Sequence, residues 1–235
     1  MNLKETSKLI QLWLERRTSH DHYIKLQLAR AGLIQGELKQ FISSPSGLKL
    51  LDIGSHRGGY SIFFAKLGYK VTGLEISRER IATAKQAAKE HHLAVEFVQG
   101  DARSTLFKNN QFDIIILSNT IEHIPDTIRL LQELYRILKP NGILYIQYPP
   151  YWGFFGSHTY LKSIPIPLHY LPGKLQPRLI SWLNLDSEPI ERVTIRKLKS
   201  FSKTIGFKIL KIKTTPAIAG ELALFCKAIL QKPDL

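Results

Sequence analysis

Three acidic residues, Asp52, Glu75 and Asp101, recur at the ends of short apolar runs. Asp52 lies near the end of the run Leu48 to Ile53 and opens Asp52-Ile53-Gly54-Ser55-His56-Arg57-Gly58-Gly59. Glycines at 54 and 58 free such a turn from Cβ constraints and let a ligand approach the backbone. The start of the helix expected behind it favours an anionic group such as a carboxylate. Glu75, in Val71-Thr72-Gly73-Leu74-Glu75-Ile76, follows Asp52 by 23 residues, the spacing of a β-α-β unit. An acid at that strand end can accept both hydroxyls of a ribose. Asp101, in Gly100-Asp101-Ala102, can accept a hydrogen bond from an adenine amino group. The shared chemistry is recognition of a nucleoside-bearing ligand. It is not the dinucleotide fingerprint G-x-G-x-x-G, because His56 stands where that motif needs its second glycine.

A second group could act on a substrate. Ser118 and Asn119 end the apolar run Phe112 to Leu117 and would face the cleft. Asn119, Glu122 and His123 are spaced i, i+3, i+4, so one helical turn would present them on one face. His158 stands in Gly153-Phe154-Phe155-Gly156-Ser157-His158, among aromatics. A neutral histidine near pH 7 is a competent general base. Glu122 and His123 could equally stabilise their loop, and a histidine among aromatics could simply be packed.

The elements that position these groups alternate. Leu3 to Phe41 is helical in pattern, and Ser43 to Gly47 reads as a loop. Strands are expected at Leu48–Ile53, Val71–Leu74, Val95–Val98, Phe112–Leu117 and Ile143–Tyr148. Helices are expected at Tyr60–Leu67, from the cap Ser77 to about His91, and at Thr127–Leu138. This alternation calls for an α/β domain with a parallel sheet covered on both faces, and its ligands bind at the carboxyl ends of the strands. Pro149 to Pro189 breaks the pattern with seven of the twelve prolines and many aromatics. That density argues against regular helix or strand, so the stretch reads as an ordered lid or a substrate-recognition insert. A helix capped by Thr194 and two strands, Phe207–Ile212 and Glu221–Leu230, close the chain. The expected organisation is one domain. Residues 1–46 form a helical cap, 47–148 a cofactor-binding core, 149–190 the insert and 191–235 a helix with a strand hairpin.

Taken in order, Asp52-x-Gly54-x-x-x-Gly58, Glu75, Gly100-Asp101-Ala102, Asn119-x-x-Glu122-His123-x-Pro125-Asp126 and Leu138-Lys139-Pro140-x-Gly142 resemble the class I S-adenosylmethionine-dependent methyltransferases. The resemblance spans about Leu48 to Pro149. It implies a Rossmann-like, seven-stranded, mostly parallel sheet whose last strand is antiparallel, and S-adenosylmethionine as cofactor. It places the methionine part on the turn Gly54, Ser55, His56 and Gly58, the ribose at Glu75 beside Ile76, and the adenine at Asp101 and Ala102, with Ser118 and Asn119 bordering the site. Many relatives carry glycine where His56 stands. The Glu122-His123 pair is similar to the E-x-x-E-H of ubiquinone-pathway O-methyltransferases and small-RNA 2′-O-methyltransferases, where these side chains hold a divalent metal. Here Asn119 replaces the first glutamate, so no metal is assigned; were one involved, Asn119, Glu122, His123 and His158 would be its ligands. Tyr148-Pro149-Pro150-Tyr151 resembles the N-P-P-Y of nucleic-acid amino-methylating enzymes, but that motif follows the fourth strand and this one the fifth, which excludes DNA adenine methylation.

The formal net charge is +14, and from Arg192 to Lys213 there are eight basic residues and no acid. Such a field favours an anionic partner, RNA or a membrane surface, or merely keeps the protein soluble. Cys226 is the single cysteine, so no intramolecular disulfide forms. No apolar run approaches a membrane span, and Met1 leads into a polar, periodic stretch. The expectation is a soluble cytoplasmic protein. Three functions fit: methyl transfer to a small-molecule or lipid-intermediate acceptor, with oxygen as the favoured atom; RNA methylation; and a catalytically silent cofactor-binding protein on the same fold.

Overall fold

In the computed structural model, residues 20–149, 159–161, 164–165, 171, 175–187, 191–216 and 224–234 are described. Helix α1 (His20–Leu38) precedes strand β1 (Lys49–Ile53). Then come α2 (Gly59–Lys66), β2 (Lys70–Glu75), α3 (Arg78–Glu90), β3 (Glu96–Gln99) and β4 (Phe112–Ser118). A 3₁₀ turn at Ile121–His123 leads into α4 (Thr127–Ile137) and β5 (Leu138–Tyr148). After the insert follow α6 (Ile195–Ile205), β9 (Lys208–Pro216) and β10 (Leu224–Gln231). The seven strands lie in the order β3-β2-β1-β4-β5-β10-β9. Only β10 runs against its neighbours, pairing antiparallel with both β5 and β9.

The central strands are buried on both faces, which is why they read as continuous apolar runs. Leu51, Ile115, Leu117, Leu144 and Ile146 pack beneath α4 and α6. Leu50, Ile114, Ile116, Ile143 and Tyr145 pack beneath α1 and α2. Alanines 84, 87 and 88 of α3 are small enough to lie against Ile62 and Phe97. Helix starts follow their caps: Ser77 accepts from Arg80 N (3.3 Å), and Thr194 accepts from Lys197 N (3.1 Å).

Two expectations change. The expected helix Thr127–Leu138 ends at Ile137, and Leu138–Gly142, ahead of the strand expected from Ile143, is already the first part of β5. Its pairing with β4 slips between Phe112 and Ile114, so a bulge absorbs Pro140 and the left-handed Asn141 (φ 61°). The proline-rich insert also holds regular structure: β6 (Thr159–Leu161), β7 (Ile164–Pro165), α5 (Gln176–Trp182) and β8 (Asp186–Ser187), with strands in the order β7-β6-β8. Its prolines occupy permitted places. Pro165 lies on an edge strand and Pro177 in the first turn of α5. Residues 1–19, where the rest of the expected N-terminal helix falls, lie outside the described residues. Among the described residues, no helix is long and apolar enough to cross a membrane.

Candidate active site

The register of the parallel strands sets the three acids side by side. Asp52 pairs with Gly73, and Glu75 with Gln99, two residues before Asp101. All three therefore stand at the carboxyl ends of β1, β2 and β3. A cleft of about 750 Å³ lies at the opposite ends of these strands, with Lys49, Lys70, Glu96 and Gln111 on its walls. It shares no residue with the acid row, and the acid row marks the end where such sheets bind ligands.

The turn after β1 is made of left-handed residues: Gly54 (φ 69°), His56 (φ 50°) and Gly58 (φ 84°). Gly54 N and Ser55 N both donate to Leu74 O, at 2.8 and 3.1 Å. A Cβ on Gly54 would stand 2.6 Å from Thr120 Cγ2, so the turn and the loop after β4 touch where only glycine fits. Histidine is among the residue types that tolerate a left-handed φ, so His56 preserves the turn. Its amide donates to Glu75 Oε2 at 3.0 Å. Glu75 Oε1 accepts from Ile76 N and Ser77 N, each at 3.1 Å. Glu75 is thus a buried carboxylate held by backbone amides, with Arg80 at 3.6 Å.

Asp52 is fully enclosed. Ser61 Oγ of α2 donates to its Oδ2 at 2.7 Å. Burial nonetheless pushes its carboxyl up to about 7, and the nearby charge of Glu75 adds to the rise. Two acids sharing a buried turn in a chain of net charge +14 make a local seat for a cation. Ser55 Oγ, also buried in the turn, has no hydrogen-bond partner among the described residues.

Asp101 is built differently. Arg103 grips both its oxygens, with Nη2–Oδ2 at 2.6 Å and Nε–Oδ1 at 3.0 Å. That bond holds the Asp101 carboxyl below its ordinary value. Ala102 is buried, whereas Ile76 is 67% exposed beside the acids, an apolar surface for a flat ring. The following loop is anchored by α4. Glu133 accepts from Thr105 N at 2.8 Å, and Arg136 donates to Glu133 and to Phe107 O. Burial opposes ionisation of Glu133, but the bonds from Arg136 and Thr105 outweigh it and hold the carboxyl at about 2.

The acceptor-side residues do not gather as the spacing suggests. Asn119 is left-handed (φ 50°) and its amide donates to Gln147 O at 2.8 Å. This bond continues the β4–β5 ladder, so Asn119 lies outside the 3₁₀ turn that holds Glu122 and His123. Within that turn Glu122 is buried and His123 exposed. The single helical face expected for the three is therefore absent. Ser118 Oγ donates to Tyr60 OH at 3.3 Å. His158 lies outside the described residues. Among the described residues, no three His, Cys, Asp or Glu side chains form a metal-binding group. Sequence reasoning missed Thr120, Arg103 and Tyr148. Tyr148 ends β5, and burial, with Cys226 and Glu122 beside it, raises its hydroxyl far above the ordinary phenol range. Arg103 carried a legible signal, a cation two residues beyond an acid.

With this geometry in place, likeness to known proteins has a physical meaning. Residues 51–146 match the family model of a methyltransferase domain. The chain is 28% identical over 153 residues to a ubiquinone biosynthesis O-methyltransferase of Actinobacillus pleuropneumoniae, covering 59% of this chain and 64% of that protein. It is 30% identical over 131 residues to an uncharacterized methyltransferase of Mycolicibacterium vanbaalenii, covering 56% of this chain and 49% of that one. These matches span less than two thirds of either relative. A solved SAM-dependent methyltransferase of Methanosarcina mazei superposes with a TM-score of 0.62 at 23% identity, over 84% of this chain and 97% of that one.

Proposed function

We propose that the chain, whose residues 51–146 match a methyltransferase domain and whose curated relatives are named methyltransferases, transfers a methyl group from S-adenosylmethionine to a small-molecule or lipid-intermediate acceptor, oxygen being the favoured atom. The observation that carries this reading is the row of three carboxylates across β1, β2 and β3. The residues fit the cofactor chemically. Asp52 and Glu75 form a buried anionic seat suited to a ligand with cationic groups, and Ser55 Oγ adds an unsatisfied polar atom. The turn 54–58 would hold the methionine part, Glu75 the ribose, and Asp101 with Ala102 and Ile76 the adenine. The cofactor supplies an activated methyl on sulfur; the protein supplies position and electrostatics.

On the acceptor side, Glu122, His123 and His158 are the candidates for orienting or deprotonating the acceptor. Glu122, buried beside Tyr148, would act through its electrostatic field, and an exposed His123 would meet a substrate arriving from solvent. The ubiquinone-pathway name of one relative supports a small-molecule oxygen acceptor. A second reading, RNA methylation, draws on α6, whose exposed Arg196, Lys199 and Lys203 share one stripe. One experiment decides between them. Cell extract is incubated with the protein and labelled cofactor, with and without ribonuclease, and products are read by mass spectrometry. A labelled small molecule that survives ribonuclease is expected. Label lost with ribonuclease would turn the reading to RNA, and no labelled product would leave a silent cofactor-binding protein.

A further inference from the structure

Helix α1 is docked by polar side chains as well as by its apolar face. Glu37 accepts from the buried Lys227 Nζ at 2.9 Å. Gln35 Oε1 accepts from Tyr69 OH at 3.0 Å. Gln27, itself buried, accepts on Oε1 from the amide of Gly59 at 3.0 Å. This third contact falls on the cofactor turn. Gly59 is the first residue of α2, and its N-cap, Gly58, has no side chain with which to cap it. A helix start leaves its first amides without intrahelical partners. Here the missing cap comes from a side chain 32 residues earlier. The fit is close, since a Cβ on Gly59 would run into the Gln27 side chain.

We propose that Gln27 is a positioning residue of the cofactor site. Its amide oxygen fixes the start of α2, and thereby the Gly54–Gly58 turn that precedes it. Gly54 and Gly58 give that turn many alternative conformations once its end is released. A buried amide without an acceptor is costly, so the bond selects one of them. Helix α1 is then a working part of the site rather than padding on the sheet. This inference rests on the methyltransferase reading for its functional consequence, while the capping itself does not.

The full chain is titrated with S-adenosylhomocysteine by calorimetry, as wild type, Gln27→Met and Gln27→Glu. Methionine keeps the length and loses the acceptor oxygen; glutamate keeps it. Gln27→Met is expected to weaken binding about tenfold, on the scale of one lost buried hydrogen bond, and Gln27→Glu to restore most of it. In parallel, hydrogen exchange of the Gly59 amide is measured without cofactor, and Gln27→Met alone should speed it. Equal affinity of wild type and Gln27→Met overturns the proposal, and so does an equal loss in both variants. If the wild type does not bind at all, the methyltransferase reading fails. Unchanged Gly59 exchange in Gln27→Met would then overturn the capping separately.

Discussion

At the ends of β1, β2 and β3, the acids are held from within the β-α-β units that carry them: Asp52 by the Ser61 hydroxyl of α2, the others by backbone amides or by a cation two residues away. Glu75 takes amides from positions 56, 76 and 77, and Asp101 takes Arg103. Beyond β4 and β5 the supports come from far along the chain. Glu122 O accepts from Glu191 N at 2.6 Å, across the whole insert, and Asn119 N reaches Gln147 O. On the proposed assignment, a cofactor common to a family calls for a fixed seat, which the register of β1 to β3 and the contact of Gln27 with Gly59 would provide. An acceptor site formed by distant segments can change its substrate without disturbing that seat.

The largest expected effect tests this division directly. Replacing Pro149–Pro189 with a short Gly-Ser loop should abolish methyl transfer while leaving S-adenosylhomocysteine affinity nearly unchanged, read by product formation and calorimetry. A collapse of both would show the two halves to be one unit. Next, Gly54→Ala should weaken cofactor binding by about a hundredfold or more, since it adds left-handed strain of about 1–2 kcal/mol and a clash with Thr120 that costs about 1–3 kcal/mol. Gly36→Ala is its control. Gly36 lies in α1 with open space around it, so alanine there should stabilise the fold by about 0.5–1 kcal/mol in denaturant titration.

Within the cofactor half, Asp101→Asn should cost about tenfold in affinity, as for one charged hydrogen bond, with the ladder around Glu75 undisturbed by hydrogen exchange. The smallest effect concerns pH. Asp52 has a folded value of about 7 against 3.8, so folding favours its protonated form. That contribution to stability is complete below pH 3.8 and is lost as pH rises through about 7. Binding of a cationic cofactor has the opposite sign. S-adenosylmethionine should bind more tightly as pH rises from about 6 to about 8, by less than about tenfold per unit. Asp52→Asn should flatten the profile, and an equally steep profile in that variant would remove Asp52 from the seat.

The same contrast governs what could be read from residue order. Asp52, Glu75 and the sheet were legible because burial on two faces writes a continuous apolar run, and strand ends recur at β-α-β spacing. Gly54 and Gly58 were legible because a left-handed φ selects glycine. The union of Asn119, Glu122 and His123 on one face was not there to be read. Asn119 was claimed by the carbonyl of Gln147, a partner on another strand that local spacing does not reveal. The bulge at Pro140 was hidden for a related reason. Proline and Asn-Gly signal a break equally well whether the chain leaves the sheet or bends within it.

Cys226, the single cysteine of the chain, lies buried on β10 opposite Tyr148. Burial raises its thiol above the ordinary value, so it should react with alkylating reagents only when the pairing of β10 with its neighbours opens. The molecule thus carries its own clock for local opening. Without any engineered label, the rate at which this thiol is modified measures how often the sheet parts beside Glu122, and whether an acceptor slows it.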